Sequence, residues 1–190
     1  MKRFASAPRI SLDIGRDGVA SIPDARLRTL AEYWFARRRV YGIPPRSAID
    51  PLDFPALLPN ILLIERIGTP PDERYRFRLV GTGVVAHAGR ELTGRHVDEA
   101  LPATYYDYVR LLNRTTLEHG LPVYSASLYH DEGNFVNGLT YRLLMPLLGG
   151  PEGRTAMLFV CQFWQRREDI GAWTGDWQSV APEIRVISGP

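Results

Sequence analysis

Apolar positions along the chain change period several times, and each change marks an element. Asp24 stands where a helix N-cap belongs, and after it Leu27, Leu30, Ala31, Trp34 and Tyr41 fall close to one helical stripe. Pro44 and Pro45 end that helix by about Gly42. Tyr33 and Phe35 lie off the stripe, and a helix that is apolar on more than one face needs more than one partner surface. They are therefore the candidate interface of a homodimer built on the helix at 24–41. Residues 46–60, with Pro51, Pro55 and Pro59, read as a structured connector. The apolar run 61–67 reads as a strand, and 68–73, with Pro70 and Pro71, as a turn. Tyr75, Phe77 and Leu79 then alternate with Arg76 and Arg78, the period-two pattern of a strand with one buried face.

Residues 81–102 hold short helical stretches punctuated by glycine. The helical period returns over 103–118, with Tyr105, Val109 and Leu112 on one stripe and Gly120 and Pro122 as terminators. Three further strands follow at 123–129, 139–147 and 156–164, joined by turns at Gly133–Asn134 and at 149–153. The order predicts an α+β fold: a five-stranded antiparallel sheet with helices on one face, plus the N-terminal helix. Residues 1–22 are expected as an irregular arm, 23–165 as the domain and 166–190 as a polar tail. A sheet covered by an inserted helical segment can leave a cavity between the layers.

Composition narrows the partners. The chain of 190 residues is 45% hydrophobic and 23% charged, which predicts a packed core and excludes wholesale disorder. A net charge of +2 is too small to imply a nucleic-acid partner, and the run Arg37, Arg38 and Arg39 reads as a solvated helix face. A single cysteine, Cys161, rules out an intramolecular disulfide and sits in an apolar run as a core residue. No stretch approaches the roughly 20 apolar residues of a membrane helix, so no membrane partner is expected and a cytoplasmic location is the default.

Three strings then carry a resemblance. RSAIDPLDFPALLPNILLIE at 46–65, YRFRLVGT at 75–82 and GRELTGRHVDE at 89–99 together resemble a bacterial family of PAS-like single-domain proteins. The resemblance spans residues 27–165. It implies a PAS fold with a sensory or interaction role and no particular ligand.

The chemical motifs are weak beside this. Gly81-Thr82-Gly83 follows a strand and mimics a dinucleotide fingerprint, but Gly89 interrupts any long helix and no parallel strand follows. The glycines read as a sharp strand exit. The histidines His87, His96, His119 and His130 lack metal-pair spacing, so no metal is expected. His87 lies where PAS-like sensors can place a haem ligand. Haem needs an axial ligand and an apolar pocket, and the sequence supports only the pocket. No haem or flavin is expected. Asp50-Pro51 reads as turn chemistry, and Glu65 and Glu99 are single carboxylates without an evident partner.

Three functions remain open. The first is a non-enzymatic sensory module that binds a small molecule, signalling through self-association or a protein partner. Its apolar pocket would be lined by Tyr105, Val109, Leu112, Tyr141, Leu143 and Phe159, with Arg78 either inward on an anionic group or outward in solvent. The second is a protein-interaction domain with a filled core. The third is a small cone-shaped α+β isomerase or dehydratase, which would want a carboxylate or histidine on an inward strand position, for which Glu65 and His130 are the candidates.

Overall fold

The computed structural model describes residues 18–130, 137–150, 155–166 and 183–189. The sequence readings for 1–17, for the turns at 133–134 and 151–153 and for most of the polar tail lie outside the described residues. Asp24 starts helix α1 (Ala25–Tyr41) by accepting hydrogen bonds from the backbone N–H groups of Arg26 and Leu27 at 2.8 and 3.2 Å. Gly42, at φ 72°, ends it.

Six strands form one sheet: β1 (Ile61–Ile67), β2 (Arg74–Val80), β3 (Val123–His130), β4 (Asn137–Gly149), β5 (Thr155–Arg166) and β6 (Glu183–Val186). Their order is β2-β1-β5-β4-β3-β6, with every neighbouring pair antiparallel. The five expected strands are present. The sixth comes from the segment read as a tail: β6 pairs with β3 and buries Ile184 and Val186. Beyond it, the carbonyl of Gly189 accepts from the N–H of Val19 at 3.2 Å, and Val19 and Ile22 are buried. The end of the expected arm and the end of the expected tail thus close on each other and join the core. Four-residue β6 is too short for alternation to announce it.

Helices α2 (Thr82–Ala88), α3 (Val97–Ala100) and α4 (Ala103–His119) cover one face of the sheet, and α1 covers the other. The pleat of the strands divides the core accordingly. Leu143, Met145, Phe159 and Cys161 pack with Leu27, Leu30 and Trp34 of α1. Leu144, Leu158 and Val160 pack with Leu112 of α4. Buried Trp34 fixes α1 on the sheet by donating its indole N–H to the Pro146 carbonyl at 2.9 Å. Pro146 costs no ladder bond there, because the β3 pairing has already ended at Leu144.

Two expectations fail for local reasons. Leu79 is 42% exposed although Tyr75 and Phe77 are buried, because a register shift opposite Leu63 and Ile64 interrupts the alternation at Arg78. The arginine run is only partly solvated: Arg37 donates to the Ala48 carbonyl at 2.8 Å and pairs with Asp53, and Arg38 donates to the Gly120 carbonyl at 2.8 Å. Arg39 is exposed.

The turn after β2 depends on contact, not on φ. A Cβ at Gly81 would lie 2.4 Å from the Leu58 carbonyl oxygen and 2.5 Å from that of Pro59, both backbone atoms that cannot swing away. Gly81→Ala is expected to cost about 1–3 kcal/mol by overpacking, read as a lower urea midpoint with an unchanged slope. Wild-type stability in that variant would show that the connector can move aside.

Candidate functional site

Because a helix layer covers each face, β4 has no solvent-facing side. Its polar residues Thr140 and Arg142 are therefore interior, 0% and 3% exposed. Antiparallel neighbours share a face, so register places Ser125 beside Arg142 and Ser127 beside Thr140 from β3, and Gln162 and Trp164 beside the same two from β5. All lie on the face that carries Leu144 and Val160, under α4. From α4, Tyr105 accepts a hydrogen bond from Arg142 Nη2 at 2.8 Å, and Ser127 Oγ accepts a longer one at 3.3 Å. The guanidinium carbon lies 5.7 and 5.8 Å from the ring centres of Tyr105 and Tyr108. Tyr108 and Ser125 hydroxyls are 2.5 Å apart, and burial pushes the Tyr108 hydroxyl above its ordinary range. At the edge of the group His87 of α2 stacks on Trp164, centroids 4.0 Å apart.

Two donors in this group are unmet. Arg142 Nε and Thr140 Oγ1 are buried with no hydrogen-bond partner, and among the described residues no carboxylate lies within 4.0 Å of the guanidinium. Arginine keeps its proton under all ordinary conditions. The interior therefore holds a positive charge that the described chain does not neutralise, a costly arrangement without a counter-ion.

The residues expected to line one pocket are divided by the sheet. Tyr105, Val109 and Leu112 do face it from α4, with Leu112 fully buried. Tyr141, Leu143 and Phe159 lie on the opposite face, in the core built with α1. Tyr141 stacks on Phe163 and accepts from Arg26 at 3.3 Å. The period-two pattern of β4 separates its residues into two sets but does not say which layer each set meets. The more apolar set went to α1. Arg78 is also no pocket residue: its side chain is 52% exposed, 3.8 Å from Glu65.

The proposed dimer residues are engaged within the chain. Tyr33 meets Phe54 edge-on at 5.3 Å, lies under the Arg37 guanidinium and accepts from the Asp50 N–H at 3.0 Å. Phe35 is 6% exposed, edge-on to Trp34. The connector thus covers α1 at Tyr33, and Phe35 packs beside Trp34 and Gly189, while Val40 and Tyr41 at the end of the helix are exposed.

A family model described as a PAS domain matches residues 23–159. The chain belongs to the PAS domain family. No curated protein matches it. In this PAS domain Gly81-Thr82-Gly83 opens a seven-residue helix that Gly89 ends in the left-handed conformation, and the sheet is antiparallel throughout, so the dinucleotide fingerprint is absent in three dimensions. Cys161 is fully buried and burial pushes its thiol to about 12, which makes it a core residue and no nucleophile. Among the described residues no three of His, Cys, Asp and Glu cluster as metal ligands, and no helix is long and apolar enough to cross a membrane.

The carboxylates that looked solitary in sequence have cationic partners. Glu65 pairs with Arg76 at 2.7 Å on the α1 side of the sheet, away from α4. Glu99 and Asp98 both bind Arg74, whose hydrogen bonds hold each carboxyl below the usual range. His96 sits 3.3 Å from Glu99 and is half-buried. Asp50 accepts from the Leu52 N–H at 2.9 Å, the turn chemistry its Asp-Pro context implies. The side chain of His130 lies outside what the structure describes.

Sequence reasoning missed a second buried charge. Glu73 stands two residues before Tyr75 and so shares its inward face, a signal hidden by reading 68–73 as turn. Its side chain is fully buried, 3.5 and 3.4 Å from the Nε atoms of Arg110 and Arg114, with neither oxygen hydrogen-bonded. Burial first, and then the Glu73 charge, push the neighbouring Tyr75 hydroxyl far up. Both arginines reach solvent and Glu73 does not, so removing the arginines strands a buried carboxylate. The Arg110→Met, Arg114→Met double variant is expected to lose about 3 kcal/mol of stability, and adding Glu73→Met should recover most of it. Denaturant unfolding of the series checks this. A triple variant no more stable than the double would refute the pairing.

Proposed function

We propose that this PAS domain is a non-enzymatic, cytoplasmic sensory module that holds a small molecule between α4 and the central strands. The observation that carries the reading is the set of buried donors with unmet hydrogen bonds on the α4 face of β4, Arg142 Nε and Thr140 Oγ1. Buried polar groups are normally satisfied, and a bound molecule supplies what the chain does not. The rest of the interface is filled: Leu112, Val123, Leu144, Leu158 and Ile184 pack together with under 3% exposure. A purely interaction domain accounts for that apolar part but not for the polar part. An isomerase-like site on Glu65 has no support, since that carboxylate sits on the other face against Arg76.

The bound state acts by shifting a population between arrangements of α4 and the sheet. The signal passes to a second copy of the chain, or to a separate signalling protein, through surfaces other than Tyr33 and Phe35.

Native mass spectrometry of freshly purified protein tests the reading. The expected result is a small mass that stays with the folded chain and leaves on unfolding, with neither Soret nor flavin bands in the absorption spectrum. Bare polypeptide in every preparation, together with no response of the β3–β5 amide resonances to a metabolite extract, would overturn it. A Soret band lost in His87→Ala would replace it with a haem sensor. Light scattering should give the mass of a dimer, and a monomer assigns the signal to a separate partner.

A further inference from the structure

The buried charge of Arg142 identifies the class of molecule, if the ligand-binding reading above is right. We infer that Arg142 is the anchor of a site for an organic monocarboxylate. The guanidinium is 3% exposed and carries a full positive charge. Its Nη2 is committed to Tyr105 and Ser127, which accept and so bring no negative charge. Its Nε is buried and unmet.

Thr140 Oγ1, the other unmet group, is two residues along the same strand and on the same face, roughly 6.5 Å away at the backbone. Tyr105 accepts from Arg142, so its own proton is free to donate. A carboxylate bound beside Arg142 would have the Arg142 Nε–H, the Thr140 hydroxyl and the Tyr105 hydroxyl as candidate donors. Charge-assisted bonds of this kind are the strong ones. One guanidinium balances one negative charge. A phosphate, carrying closer to two charges and three acceptor oxygens, would leave charge uncompensated here.

The surroundings favour a ligand with an apolar or aromatic body. The rings of Tyr105 and Tyr108 flank the guanidinium, and Trp164 lies beside Thr140 in register. Tyr105, in the first turns of α4, is half-buried, the less enclosed of the two residues that accept from the guanidinium. An unpaired buried arginine of this kind destabilises the fold, and a bound anion would offset that. A structural arginine would show the reverse.

The test follows the Nε–H resonance of Arg142 in full-length, guanidinium-labelled protein, assigned by its loss in Arg142→Gln. The protein is titrated with sodium benzoate, and at equal ionic strength with benzamide and with sodium phosphate. Benzoate is expected to shift the resonance saturably, and benzamide and phosphate are not. Amide shifts around Thr140 should follow benzoate in wild type and vanish in Arg142→Gln. Tyr105→Phe and Thr140→Val should each weaken benzoate about 5–10-fold, and these two variants carry the test should Arg142→Gln not fold. Without benzoate, Arg142→Met should melt at or above the wild-type temperature.

Equal binding of benzamide, or unchanged benzoate binding in Tyr105→Phe and Thr140→Val, overturns the inference. Tighter binding of phosphate overturns the carboxylate assignment. A fall of more than about 5 °C in the melting temperature of Arg142→Met makes the residue structural and overturns it as well. Failure of both anions to shift the resonance also refutes it, while a co-purifying neutral molecule in the native mass spectrum would still support the sensory reading.

Discussion

Strand β4 runs through the middle of the sheet with a helical layer on each face, so all of its side chains from Thr140 to Leu147 lie inside or nearly inside the protein. Everything else about the interior follows from which way each points. A slip of one residue would drive Arg142 into the apolar core against α1 and turn Leu143 toward the polar group beneath α4. Three contacts oppose such a slip: the Trp34 bond to the Pro146 carbonyl, the bond from Leu148 N–H to the Pro44 carbonyl and the full-length pairing with β5. The helix that makes the first core therefore also fixes the geometry of the second.

The two buried charges of the α4 layer are treated differently. Glu73 lies 3.5 and 3.4 Å from two arginines whose outer ends reach water, so its charge is paired within the chain although neither oxygen is hydrogen-bonded. Arg142 has tyrosine and serine oxygens about it and no anion among the described residues. Hydrogen bonds to neutral oxygens soften a buried charge but do not cancel it. Structural interiors avoid that situation, since an aliphatic side chain of similar volume would serve packing better. Binding sites tolerate it, because the same imbalance becomes affinity when the missing charge arrives.

Local chemistry was legible in the sequence wherever one element met one surface. The Asp24 cap, the α1 stripe from Leu27 to Trp34, the Tyr75–Phe77 alternation and the α4 stripe read correctly from period and punctuation, while Tyr41 at the end of α1 is exposed. The pattern stopped being informative where two surfaces competed. In β4 both residue sets are interior, and the choice of partner layer is made by α1, more than a hundred residues away. In β2 the register shift at Arg78 is invisible without the partner strand. Strand β6 is held by pairing with β3, not by its own four residues. The strings that carry the family likeness have a physical link. Gly81 of the Val-Gly-Thr piece rests on the carbonyls of Leu58 and Pro59 in the Leu-Pro piece, so neither can change without the other. Arg142 escaped notice because a lone arginine in an apolar strand looks like an outward residue, and only the covered second face makes it an inward one.

Helix α4 connects the buried polar group around Arg142 to the rest of the molecule. Its first turns carry Tyr105 and Tyr108 against Arg142, its middle holds Glu73 through Arg110 and Arg114, and the Gly120 carbonyl just beyond its end accepts from Arg38 of α1. A ligand that binds equally well to two positions of this helix shifts nothing, however tightly it binds. A ligand that needs the Tyr105 hydroxyl aimed at its own oxygen does distinguish them, because that hydroxyl moves with the helix while Arg142 and Thr140 stay with the sheet. Under the proposed reading, the contact between α4 and the sheet is the variable that binding would change. The bond from Arg38 to the Gly120 carbonyl ties the far end of α4 to α1, so under the proposed reading a shift of α4 would be felt by α1 on the other face of the sheet.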